Sequence, residues 1–199
     1  AWVGRTIEMS GKFPLQLEAQ GEIQQHLHDW PINQTVKVLC PYRLDDDAKT
    51  RAHHENLMLE LDAACRATGH QWLLEIITAR NGQGPDFTQV PNIMQRFYEL
   101  GIKPDWWKLE PGPDKPYWDA VGAVIDKHDG YCQGIIVLGL DASIEQITEA
   151  FTSAAQQPWV KGFAIGRTLF AEAAQAWLQG NMDDAEAIAL MRQQYRLTI

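Results

Sequence analysis

The chain contains Asp105-Trp106-Trp107-Lys108-Leu109-Glu110-Pro111, a short apolar run with the character of a buried β-strand that ends at proline. Lysine is rarely buried without a partner, because its charged form loses hydration in an apolar interior. Partial desolvation lowers the pKa of a lysine toward the neutral amine, which is the form that attacks a carbonyl carbon. Lys108 is therefore a candidate Schiff-base nucleophile. The structural alternative is that Lys108 extends to solvent or pairs with Glu110, two residues on along the same strand face.

Short apolar segments alternate with longer amphipathic ones along the chain, a pattern typical of parallel βα units. The predicted strands are residues 2–8, 36–42, 72–77, 105–110, 134–140 and 162–165. The predicted helices are residues 46–68, 90–100, 117–128, 144–156, 168–178 and 183–195.

Charged residues within the strands distinguish a barrel from an open sheet. Lys37, Glu75 and Lys108 lie on three successive predicted strands, each between apolar neighbours. In a barrel these side chains converge on one interior, whereas in an open sheet they would face covering helices, where charge is costly. Neither of the glycine-rich nucleotide-binding motifs follows the first strand. The sequence therefore predicts an α/β fold of the (β/α)8 TIM-barrel type.

The predicted barrel is incomplete. A (β/α)8 barrel usually needs roughly 250 residues, whereas this chain has 199 and about six of the eight strand–helix units. We expect residues 1–199 to form a single domain, the C-terminal part of a longer chain. Absent strands would expose two sheet edges, so self-association into a homo-oligomer is also expected.

Composition excludes several classes of protein. With 45% hydrophobic and 22% charged residues, the chain has an ordinary globular composition. A formal net charge of -9 disfavours nucleic acid as a partner, because binding the phosphate backbone requires a basic surface. Apolar runs are too short to span a membrane and no secretory pattern is present, so we expect a cytoplasmic enzyme. Three dispersed cysteines without a CxxC pair indicate neither a disulfide framework nor a zinc site, and no metal or cofactor is expected.

A second candidate site follows the last predicted strand. Gly166 and Arg167 come directly after that strand and open the next helix. Backbone N–H groups at a helix N-terminus and a guanidinium group together suit a phosphate, and barrels bind phosphate after their seventh and eighth strands. The preceding strand contributes its own glycine turn at Gly139, followed by Asp141 and Ser143. The alternative for this motif is an ordinary helix start.

The two lysines would influence each other. Neighbouring ammonium groups depress each other's pKa, which would keep Lys108 partly neutral near pH 7. Glu75 would oppose this effect by stabilising charge, or would serve as the proton shuttle that carbinolamine formation and C–C cleavage require. The sequence leaves this balance open.

Several motifs in the same order resemble one family over essentially the whole chain. The resemblance is to the domain found C-terminal to 5-dehydro-2-deoxygluconokinase in fused proteins of myo-inositol catabolism. More distantly, the chain is similar to class I tagatose 1,6-diphosphate aldolases. The motifs that carry the resemblance are Arg5-Thr6-Ile7-Glu8, Val36-Lys37-Val38-Leu39, Trp72-Leu73-Leu74-Glu75, Trp106-Trp107-Lys108-Leu109-Glu110-Pro111 and Gly162-Phe163-Ala164-Ile165-Gly166-Arg167-Thr168.

By this resemblance Lys108 matches the Schiff-base lysine, Lys37 and Glu75 match the accompanying lysine and glutamate, and Gly166 with Arg167 matches the phosphate site. It implies cleavage of 2-deoxy-5-keto-gluconate 6-phosphate to dihydroxyacetone phosphate and malonate semialdehyde, with a sugar kinase domain in the same polypeptide of relatives. The aldolases also carry an active-site aspartate on their first strand, which has no counterpart in this chain. The fragment alone is therefore a candidate for an inactive form.

Two other functions fit the same residues. A barrel isomerase or epimerase would use Glu75 as its base and the lysines as electrostatic clamps for an enediolate. A non-catalytic module would instead regulate or stabilise a fused kinase.

Overall fold

The computed structural model describes residues 2–19, 21–80, 82–139 and 144–197, in which strands and helices alternate. The strands are β1 (Val3–Thr6), β2 (Gln34–Pro41), β3 (Trp72–Ile77), β4 (Trp106–Leu109), β5 (Gly134–Leu138) and β6 (Val160–Ala164). The helices are α1 (Ile23–His28), α2 (Ala48–Thr68), α3 (Val90–Glu99), α4 (Lys115–His128), α5 (Ile144–Ala154), α6 (Arg167–Leu178) and α7 (Asp184–Arg196).

The six strands form one parallel sheet in chain order, from β1 to β6. The sheet curls into a half-barrel. Trp2, which precedes β1, meets Trp106 of β4 edge to face at a ring-centroid distance of 5.8 Å, across the two intervening strands. The predicted fold class, an incomplete barrel of α/β type, is confirmed.

The two faces of the sheet differ in polarity. One row of the register runs through Val38, Leu74, Trp107 and Ile135, and all four are fully buried in the apolar core on the helix-covered face. The neighbouring row, on the concave face, runs through Leu39, Glu75, Lys108 and Ile136. Because successive side chains of a strand point to opposite faces, the sheet separates its apolar core from a charged concave surface.

Most predicted elements are present with shifted ends. The strand predicted at residues 2–8 is limited to β1. The strand predicted at 134–140 ends at Leu138, since Gly139 is no longer part of it, and Leu140 lies outside the described residues. The helix predicted from residue 117 begins at Lys115, because Asp114 caps it by accepting a hydrogen bond from the Tyr117 N–H at 3.0 Å. Helix α6 likewise begins one residue earlier than predicted, at Arg167.

Helix α1 is absent from the sequence prediction. It has six residues, two of which are apolar and buried, Ile23 and Leu27. Such a short segment is marginal on propensity alone. Its many contacts with α2 explain why it is helical here.

None of the helices in the described residues combines the length and apolar composition needed to cross a membrane.

The chain after β1 is anchored to α2 by two histidines. The Leu15 N–H donates to Nε2 of His54 at 2.9 Å, and the Leu15 carbonyl lies 2.8 Å from Nε2 of His53. His54 is fully buried, and burial lowers its pKa from 6.5 to about 4. The imidazole of His54 is therefore neutral at pH 7, with Nε2 as the acceptor.

This contact predicts an acid-sensitive anchor. The unfolded chain binds a proton at His54 below pH 6.5, whereas the folded protein resists this until about pH 4. The stability contributed by neutral His54 is thus complete above pH 6.5 and is lost as the pH falls toward 4. Between pH 7 and pH 5 this single group should remove about 2 kcal/mol from the free energy of unfolding. His54→Gln keeps an acceptor without titrating, so denaturant unfolding should show a smaller loss in the variant than in the wild type. Equal losses would contradict the assignment.

Candidate active site

Four charged side chains form a continuous chain on the concave face. Lys37 Nζ lies 2.6 Å from Glu8 Oε1 and 2.8 Å from Glu75 Oε2, and Lys108 Nζ lies 2.9 Å from Glu75 Oε1. The order Glu8–Lys37–Glu75–Lys108 alternates in sign. Each charge therefore has an opposite charge beside it, which offsets the loss of hydration at this half-buried position.

The strand register produces this arrangement. Glu75 of β3 and Lys108 of β4 are direct register partners, so their side chains leave the sheet side by side. Lys37 of β2 is paired with Leu73, one layer below Glu75 on the same face. Glu8 lies just beyond β1, where the Ile7 N–H still bonds to the Lys37 carbonyl at 3.0 Å. Four consecutive segments of the sheet thus supply one residue each.

The balance between the lysines and Glu75, which the sequence leaves open, favours the charged form at Lys37. Burial does lower the pKa of Lys37, but Glu75 and Glu8 together outweigh it, so that its pKa lies above the usual value. Lys37 is a permanent cation that bridges two carboxylates.

Each carboxylate oxygen of Glu75 contacts a different lysine. Its side chain is 6% exposed, and its two oxygens face the two lysines. The contact of Oε2 with Lys37 is close enough for an ion pair, although its geometry falls outside that of an aligned hydrogen bond. The contact is an ion pair, because opposite charges 2.8 Å apart attract each other whatever the angle between the groups.

Glu110 is not the partner of Lys108. It is fully buried and turns instead to the end of β3, where it accepts hydrogen bonds from the Thr78 N–H at 3.0 Å, the Thr78 hydroxyl and the Ala79 N–H at 3.1 Å. Burial, which those bonds do not fully offset, raises its pKa. Glu110 therefore ties the loop after β3 to β4, and the sequence alternative of a Lys108–Glu110 pair is wrong.

A cleft of about 450 Å³ opens at the carboxyl ends of β3 to β6. Most of the predicted site residues line it together: Glu75, Lys108, Gly139, Gly166 and Arg167. Lys37 touches Glu75 from below and does not contribute to the lining. Asp141 and Ser143 lie outside the described residues.

The start of α6 also lines the cleft. Gly166 is its N-cap residue, and the helix begins at Arg167. The N-terminus of a helix carries a partial positive charge and favours anions. Gly139 lines the same cleft, and a Cβ atom there would lie 2.5 Å from Cγ2 of Ile165, so that a larger residue would displace the wall. The cleft therefore combines an amine with an anion-favouring helix start.

Another cavity of similar size lies elsewhere. It measures about 490 Å³ between α5 and β6 and is lined mainly by apolar side chains such as Phe151 and Phe163. None of the four charged side chains described above lines it.

Glu8 is the residue of this site that the sequence did not single out. It belongs to one of the motifs that carry the family resemblance, but no partner was visible for it. Its position directly after the first strand was the available signal, because parallel strands bring their carboxyl ends to one edge.

Two solved structures share this fold. Cgl0159 from Corynebacterium glutamicum (Brevibacterium flavum) has a TM-score of 0.60 and 17% sequence identity over 99% of this chain and 63% of that one. A Schiff base forming fructose-1,6-bisphosphate aldolase has a TM-score of 0.58 and 13% identity over 98% of this chain and 70% of that one. The chain thus spans 63% of the length of Cgl0159. At these identities the likeness shows the fold.

A comparison with curated proteins found no match. A family profile, in contrast, matches residues 1–199 without interruption. The chain belongs to that family, which is described as uncharacterized protein conserved in bacteria (DUF2090).

Proposed function

We propose that the protein is a class I aldolase that cleaves a phosphorylated keto sugar acid through an imine on Lys108. One observation carries this proposal: a single cleft holds an amine, a carboxylate 2.9 Å from it, and a helix N-terminus suited to phosphate. A class I aldolase needs these three groups within the length of one small sugar phosphate.

Glu75 supplies the proton transfers at the amine. An amine attacks a ketone only as the free base, so Lys108 must pass any proton it carries to a neighbouring group first. Glu75 Oε1 is within direct reach of that proton. The same carboxyl group can then protonate the carbinolamine hydroxyl, which leaves as water when the imine forms. Lys37 holds the other oxygen of Glu75 and fixes the carboxylate in place.

The substrate is proposed from the sequence resemblance. It is 2-deoxy-5-keto-gluconate 6-phosphate, which would yield dihydroxyacetone phosphate and malonate semialdehyde. The phosphate would lie at the start of α6, with Arg167 as its guanidinium partner. A covalently linked sugar kinase domain and a homo-oligomeric state belong to the same proposal.

An isomerase is the second candidate, and the ion pair of Lys108 with Glu75 favours it. As an ammonium group, Lys108 would stabilise an enediolate instead of forming an imine, with Glu75 as the base. The two functions differ in whether a covalent bond forms.

Borohydride reduction separates them. In the presence of dihydroxyacetone phosphate, borohydride should fix a covalent adduct that peptide mass spectrometry locates on Lys108. Protein treated without the ketone is the blank. Recovery of an unmodified Lys108 peptide from the complete reaction would favour the isomerase.

Lys108→Arg should abolish both the adduct and carbon–carbon cleavage. A guanidinium group keeps the positive charge beside Glu75 but is a poor nucleophile. Turnover should fall by several orders of magnitude, as when other covalent nucleophiles are removed. Lys103→Arg, on the exposed loop before β4, is the matched control and should retain normal turnover. If the Lys108→Arg enzyme kept a tenth of wild-type turnover, Lys108 would act as an electrostatic clamp and not as the nucleophile.

Arg167→Ala should weaken binding of phosphorylated substrate selectively. A hydrogen bond to a charged group contributes about 1.5–3 kcal/mol, so the Michaelis constant should rise about 10- to 100-fold. For the unphosphorylated analogue the change should be small. Steady-state kinetics with both compounds make the comparison, and an equal rise for the two would remove Arg167 from the phosphate role.

A further inference from the structure

A second cavity, of about 460 Å³, adjoins the other end of the charged chain. It lies at the carboxyl ends of β1 to β3, beneath the loop of residues 9–13, and its walls include Glu8, Leu39 and Arg80. Leu39 also lines the cleft that contains Lys108, so this residue borders both cavities. A ligand that extends past Leu39 would occupy both.

Glu8 lines this second cavity and has one oxygen without a hydrogen-bond partner in the described residues. The residue is 8% exposed, and its Oε1 is bound by Lys37 at 2.6 Å. Its Oε2 is buried and has no hydrogen-bond partner within the described part of the chain. Leaving a buried acceptor without a partner is unfavourable, and more so for a charged group. Such an atom in a residue that lines a cavity indicates a partner that arrives with the ligand.

Aldol cleavage needs a base at a second position, the hydroxyl group on the carbon that becomes the aldehyde. Glu75 lies at the amine, between Lys37 and Lys108. A carboxylate on the side of the second cavity is better placed for that hydroxyl group. Glu8 has the free oxygen, and Lys37 fixes its orientation.

We propose that Glu8 is the general base for carbon–carbon cleavage and that the second cavity holds the departing aldehyde. This inference rests on the proposed aldolase function. Glu8 Oε2 removes the hydroxyl proton, and the O–H electron pair becomes the second bond of the aldehyde carbonyl. The carbon–carbon bond breaks, and its electron pair forms the enamine while the iminium nitrogen of Lys108 becomes neutral. The proton held by Glu8 returns to the enamine carbon, and water hydrolyses the resulting imine to release the ketone and the Lys108 amine.

The second cavity suits an aldehyde that carries an anionic group. Arg80 is already paired with Asp46 and bonded to the Pro41 carbonyl at 3.2 Å, and its guanidinium lies 4.4 Å from the Phe13 ring centroid. Lys12, on the covering loop, has no ion-pair partner among residues 2–19, 21–80, 82–139 and 144–197. It adds a positive charge where the carboxylate end of a keto sugar acid would lie.

Glu8→Gln tests the role of Glu8 by separating two steps. Imine formation with dihydroxyacetone phosphate needs Lys108 and Glu75 but no removal of a hydroxyl proton from the bond to be cleaved. Borohydride trapping of this ketone should therefore proceed in Glu8→Gln at the wild-type rate. Cleavage of 2-deoxy-5-keto-gluconate 6-phosphate should fall about 10²- to 10⁴-fold, the usual contribution of a general base. Glu18→Gln, an exposed glutamate in the same segment, is the matched control and should change neither step.

Glu8→Asp distinguishes chemistry from structure, because it keeps the carboxylate and the pairing with Lys37. It should cleave faster than Glu8→Gln, with thermal unfolding confirming that both variants are folded. Equal losses in the two variants, or cleavage by Glu8→Gln above a tenth of wild type, would overturn the role of Glu8. Absence of trapping in the wild-type protein would instead overturn the aldolase proposal itself.

Discussion

The alternating ion-pair chain Glu8–Lys37–Glu75–Lys108 is the constraint on which the concave face depends. At an effective dielectric constant of about 20, two opposite charges 4 Å apart attract by about 4 kcal/mol. Loss of hydration opposes that attraction, so burying any one of these charges alone would be unfavourable. Because the signs alternate, attraction between neighbours offsets the loss of hydration for the four charges together.

The register of the sheet is fixed by the same requirement. Shifting β3 or β4 by one residue would send Glu75 or Lys108 into the helix-covered core and would bring Leu74 or Trp107 to the cleft. The fully buried apolar row and the charged row thus both result from the alternation of side chains between the two faces of each strand. Glu110 adds a restraint at the open end by holding the backbone of Thr78 and Ala79. The carboxyl edge of the half-barrel is organised by buried carboxylates.

Sequence patterns predicted the parallel alternation, the incomplete barrel and the grouping of Glu75 with Lys108, because strand periodicity determines which face a residue occupies. They could not identify which carboxylate meets Lys108. Glu110 is nearer along the chain, whereas Glu75 is the register partner, and register depends on how the strands are packed. Glu8 was overlooked for a similar reason, since its contact with Lys37 crosses 29 residues of sequence. Helix α1 depends on α2 and has little intrinsic tendency to form.

Electroneutrality of the ion-pair chain also bears on how this family can change over evolution. Its four members sum to zero charge, and each inner member is shared by two neighbours. Losing one member leaves an unbalanced charge in a half-buried site, whereas losing an adjacent pair of opposite sign restores balance. Free energies of neighbouring positions are therefore coupled. In divergent descendants, substitutions here should accumulate in adjacent pairs of opposite sign, so that the charged site is lost two residues at a time.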